Sequence, residues 1–99
     1  MINNEEVVLK AFLRVCSLLN IDNDTQVKIT STTEENGDPR LIFLEIFKLV
    51  YLIGNDDAFV KHWFVTENNA FGEAPIEMCK SSDGLITVLD YLNKMTRRR

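Results

Sequence analysis

The chain has 99 residues, 45% of them hydrophobic, enough for one folded unit whose core needs neither disulfides nor a structural metal. Its net charge of −4 argues against the broad basic surface from which nucleic-acid binding draws its electrostatic term. The start, Met1-Ile2-Asn3-Asn4-Glu5-Glu6, has no basic and apolar leader pattern, and the longest apolar-rich run, 41–53, falls short of the roughly 20 residues of a membrane span, so a cytoplasmic protein without membrane contact is expected.

Along residues 5–19 the polar Glu6, Lys10, Arg14 and Ser17 recur at helical spacing, opposite Val8, Leu9, Phe12, Val15, Cys16 and Leu19. This predicts an amphipathic helix that stops near Asn20, where Asp22, Asn23, Asp24 and Thr25 favour a turn and the cap of a new element. Residues 26–30 suit a short helix, yet the alternation in Val27, Lys28, Ile29 and Thr30 and the β-branched run to Thr33 suit a strand equally well. The polar segment 31–39, with Asn36-Gly37 and Asp38-Pro39, is expected to be a mobile turn region.

Asp38 and Pro39 open the next helix as cap and first-turn proline, and because only Glu45 and Lys48 interrupt residues 41–53, this helix is expected to be the most buried. Gly54 fits the left-handed position after it, and Asn55 fits the cap of a helix carrying Asp56 and Asp57 in its first turn. Phe59, Val60, Trp63 and Phe64 give that helix its apolar stripe. Residues 66–74 read as a loop, Pro75 opens a short helix through Cys79, and Ser81 or Ser82 caps a last helix with the stripe Leu85, Val88, Leu89 and Leu92. Asp90 and Lys94, four apart, are expected to pair on its surface. The fold class expected is therefore all-α, a compact bundle of five to six helices.

No pattern of reactive groups emerges. The single histidine, His62, sits beside Trp63 in a helix and reads as structural or superficial, since no Gly-x-Ser-x-Gly elbow or reactive-cysteine motif accompanies it. Cys16 and Cys79 form no C-x-x-C pair and read as reduced core residues. Asp22 to Gln26 begin like a calcium loop, but Val27 stands where glycine is needed and Thr33 where glutamate is needed. With no P-loop and no G-x-G-x-x-G, neither an enzyme nor a cofactor or metal site is expected.

Trp63, Asn68, Phe71, Gly72 and Pro75, followed by Gly84, Val88 and Leu92, stand in an order and spacing that resembles the toxin-binding domain of Xre/MbcA/ParS-type antitoxins. With the helices before them, the resemblance covers about 55 of the 99 residues. It departs from the family pattern in a gap between Trp63 and Pro75 that is one residue shorter, and in Glu67 where proline is common. The resemblance implies two parts: residues 40–99 as the toxin-binding domain, and residues 1–39 as an N-terminal helix with a shortened helix-turn-helix-like segment and an acidic loop. Only nineteen residues, 22–40, separate Ile21 from Leu41, which barely accommodates a complete DNA reader, and acidic residues outnumber basic ones there.

By the same resemblance the partner is a RES-domain toxin, of a family associated with NAD consumption, held inactive sterically in a toxin-antitoxin pair of bacterial type. Trp63, Phe71, Gly72, Pro75 and Gly84 are the fold signature. Asn68, Asn69, Tyr91, Lys94, Arg97, Arg98 and Arg99 are the candidate partner-binding residues, and the three arginines would suit a pocket made for the phosphates of a dinucleotide. A plainer reading makes them a solvated end that favours the negative terminus of the last helix. Two alternatives to toxin neutralisation are a DNA-binding autoregulator of the same operon, and an orphan helical interaction domain that forms a homodimer.

Overall fold

The computed structural model describes residues 4–32 and 37–97. They form six helices: α1 (Asn4–Leu18), α2 (Asn23–Thr30), α3 (Pro39–Gly54), α4 (Asp57–Val65), α5 (Pro75–Met78) and α6 (Ser82–Thr96). The all-α expectation holds. The open choice at 26–30 resolves as helix: Asp22 Oδ1 accepts from the Thr25 N–H at 2.8 Å, and the Thr30 hydroxyl turns back to the Gln26 carbonyl at 3.0 Å, so the polar side chains serve the helix backbone. The segment expected to be mobile falls partly on residues 33–36, outside the described residues.

The chain turns are made by side chains whose geometry the sequence supplies. Asn20, at φ 57°, takes the left-handed position that ends α1. Asp38 caps α3 and Pro39 fills its first turn, as expected. The end of α3 is displaced by one residue from the expectation. Asn55, not Gly54, is left-handed at φ 55°, and Asp56 instead of Asn55 caps α4. Gly54 stays within α3, where a Cβ would lie 1.8 Å from the Phe59 ring; its missing side chain lets that ring cover the helix end.

Helix α3 is the axis of the bundle, packed against α1, α2, α4 and α6. Its Phe43 stands between Phe12 of α1 and Phe64 of α4, each ring pair 5.6 Å apart, and Ile46, Leu49 and Val50 extend this core toward Leu85, Val88 and Leu92 of α6. Arg40, its side chain largely buried, binds the carboxylates of Asp38 at 2.8 Å and of Glu5, tying the start of α3 to α1. Cys16 and Cys79 are both buried in this core, and burial pushes their thiols up to about 11 and about 12, so both stay protonated at neutral pH.

One sequence expectation needs correction, and two gain detail. Leu9 lies outside the core with Leu13, because α1 buries only the arc of Phe12, Val15 and Cys16. Helix α3 has more buried residues than any other described helix, as expected, but its wet face extends beyond Glu45 and Lys48: Leu41 is 51% and Leu52 67% exposed on the same side. Within the expected stripe of α4, Trp63 is partly buried and packs against the core, while Phe64 takes the core position beside it.

Candidate functional site

The connection between α4 and α5 is an ordered turn built on Asn68. Its N–H donates to the Glu73 carbonyl at 3.2 Å, its own carbonyl accepts from the N–H groups of Phe71 and Gly72 at 3.0 and 2.9 Å, and its side-chain oxygen accepts from the Ala70 N–H at 2.9 Å. Gly72, at φ 80°, closes the turn with a backbone that side chains disfavour. The result aims Phe71 inward, and its ring meets Tyr91 of α6 edge-on at 5.1 Å. The loop is thereby fixed to the second half of α6.

The remaining signature residues hold this arrangement from below. Pro75 is buried at the first turn of α5. Ser81 Oγ caps α6 by accepting from the Gly84 N–H at 3.0 Å, and Gly84 lies so close to α5 that a Cβ there would sit 1.8 Å from the Met78 carbonyl oxygen. Each residue thus has a packing role that its type explains.

The candidate partner-binding residues lie on the turn and on the second half of α6. Asn69 is exposed at the turn, Tyr91 is half-buried beneath Phe71, and Lys94 and Arg97 are exposed on the next two turns of α6 with Met95 between them. Arg97 ends the helix, its N–H donating to the Asn93 carbonyl at 3.0 Å. The Phe71–Tyr91 contact links the turn that carries Asn69 to α6, along which Lys94 follows and which Arg97 caps; the Asn68 side chain is used within the turn. Arg98 and Arg99 lie outside the described residues. Asp90 and Lys94 form no ion pair, and the Lys94 ammonium has no carboxylate partner among the described residues beside the negative end of α6.

Elsewhere, His62 is exposed on α4, and among the described residues no three His, Cys, Asp or Glu side chains converge as metal ligands. No helix among them is long and apolar enough to cross a membrane. Two apolar openings escaped the sequence reading. One, of about 210 Å³, lies between α1 and α2 and is lined by Leu9, Phe12, Leu13 and Val27. The other, of about 440 Å³, runs along α3 past Phe47, Lys48, Tyr51, Leu52 and Asn55.

Residues 48–96 match the family model of the antitoxin Xre/MbcA/ParS C-terminal toxin-binding domain. This segment belongs to that family. The toxin-binding domain so defined begins within α3 and takes in α4, the Asn68 turn, α5 and α6, so the turn, its Phe71 anchor and the exposed Lys94 all lie inside it. Its partner class is accordingly a protein toxin. No curated protein matches the chain.

Proposed function

We propose that the protein is an antitoxin that neutralises a RES-domain, NAD-consuming toxin by occluding it. The observation that carries this reading is the anchoring of the Asn68 turn on α6 through Phe71 and Tyr91, within the matched toxin-binding domain. A rigid edge of this kind binds without first being ordered, which removes one cost of association. Asn69, Tyr91, Lys94 and Arg97 face the toxin, Asn68 holds the turn, and the tail of Arg97, Arg98 and Arg99 reaches the region where the toxin holds dinucleotide phosphates. The protein itself contributes no catalytic group.

Toxin binding is favoured over DNA reading by the room between α2 and α3. Ser31 ends one helix and Asp38 caps the other, leaving residues 32–37, which is six positions, for a recognition helix and both its turns. Helices α1 and α2 are then what remains of the shortened helix-turn-helix-like part.

Co-expression with a RES-domain toxin encoded beside it tests the proposal. A complex that co-purifies, restores growth and suppresses NAD consumption is expected, and removal of Arg97, Arg98 and Arg99 is expected to weaken suppression while leaving the thermal transition in place. Absence of a complex at micromolar concentration rejects the reading, and suppression that survives the truncation returns the arginines to a solvated end. A salt-titrated gel shift on the operon's promoter is expected to show no retardation.

A further inference from the structure

Helix α4 has a face that the bundle does not use. Val60, Trp63 and Phe64 pack on the core, whereas Ala58, Lys61, His62 and Val65 recur on the other side, within an arc of about 100° at about 3.6 residues per turn. All four are exposed, Val65 by 64%. Together with Leu19 and Asn20, just past the end of α1, they line one opening of about 490 Å³. In projection down the helix, Ala58 and Val65 take the middle of the arc and Lys61 and His62 its two borders. No carboxylate lines the opening, although the chain as a whole carries a net charge of −4. The acids at the start of α4 are used elsewhere: Asp56 accepts from the Ala58 N–H at 3.2 Å, and Asp57 from the Tyr51 hydroxyl at 2.9 Å. Neither Lys61 nor His62 has a carboxylate partner among the described residues.

We infer that this face receives an acidic segment of the protein toxin, one aliphatic side chain seated against Leu19, Ala58 and Val65 and a flanking carboxylate held by Lys61 with an N–H of His62. Two observations choose this occupant. The opening is apolar along its middle and bordered by donors without an acid, which complements an aliphatic residue beside carboxylates and repels a basic segment. Ala58, Lys61, His62 and Val65 also lie within the matched residues 48–96, and Val65 stands three residues before Asn68, so the face continues along the chain into the toxin-binding turn. The inference rests on the toxin-binding reading and adds a second contact to it, one that shares no residue with the turn or with α6.

Calorimetric titration of the full chain with the purified RES-domain toxin encoded beside it, from ~0.05 to ~0.5 M salt, tests the inference. Affinity of the parent chain is expected to fall as salt rises. Lys61→Glu and Val65→Glu are each expected to weaken binding by about tenfold or more at low salt, and Lys61→Glu to flatten or reverse the salt dependence, because it sets like charges against each other. Lys61→Arg keeps the charge and is expected to bind within about twofold of the parent. Circular dichroism is expected to show the same thermal transition for all three variants, since the changed side chains are exposed. A parent chain that does not bind the toxin overturns the antitoxin reading and this inference with it. A parent that binds, with Lys61→Glu and Val65→Glu indistinguishable from it, overturns the inference alone. So does a loss on Lys61→Glu that is equal at all salt concentrations and shared by Lys61→Arg, which marks a steric contact instead of an acidic partner.

Discussion

Glycine at position 84 sets two known tendencies against each other. In an open helix, alanine is favoured over glycine by up to about 1 kcal/mol, so propensity alone makes Gly84→Ala stabilising. Here a Cβ would stand 1.8 Å from the Met78 carbonyl oxygen, which is backbone and cannot rotate away, so α5 and α6 must separate. Overpacking of this kind costs ~1–3 kcal/mol and outweighs the propensity gain. Gly84→Ala is therefore expected to lower the urea midpoint; an unchanged or raised midpoint contradicts the close approach. The neighbouring aromatics separate in the same way. Phe64 is 1% exposed and touches Phe43, whereas Trp63 is partly open and meets Phe64 with one ring edge. Phe64→Ala is expected to cost ~3–5 kcal/mol in chemical denaturation and Trp63→Ala distinctly less, despite the larger ring removed. The reverse order would place Trp63, not Phe64, at the centre.

At the scale of elements, caps and stripes were readable because they depend on neighbours a few positions away. Asp38 with Pro39, Ser81, and the α6 stripe of Leu85, Val88 and Leu92 stand where pattern places them. Residues 26–30 were ambiguous for a physical reason: β-branched residues tolerate both states, and the cap of Asp22 and the packing of Ile29 decide. The wet face of α3 was read as narrower than it is, since a near-continuous apolar run says how much can be buried and not which side has a neighbour. The spacing of Leu41 and Leu52 with Glu45 and Lys48 held that information. Of the candidate site, the signature residues were legible by order and spacing. The anchoring of Phe71 on Tyr91, twenty residues apart in sequence, and the internal use of Asn68 depend on tertiary contact and were not.

For the whole molecule, acid is the condition that reaches the links between elements. The Arg40 guanidinium holds the Asp38 carboxyl below the usual carboxylate range, and the hydrogen bond from Thr25 does the same for Asp22. Both groups bind protons less readily folded than unfolded, so their stabilisation is complete above the ordinary carboxylate range and is withdrawn as pH falls through the folded values. Thermal midpoints followed from neutral to about pH 2 are expected to fall below about pH 4, and Asp38→Asn, less stable at neutral pH, is expected to fall less. Parallel profiles would remove Asp38 from the acid response. Such transitions can be followed without any label. Trp63 is the chain's one tryptophan and rests edge-on against Phe64 at 5.3 Å, partly buried at the margin of the core. Its emission reports a single place, the seating of α4 on the core, and a red shift marks the moment that helix lifts.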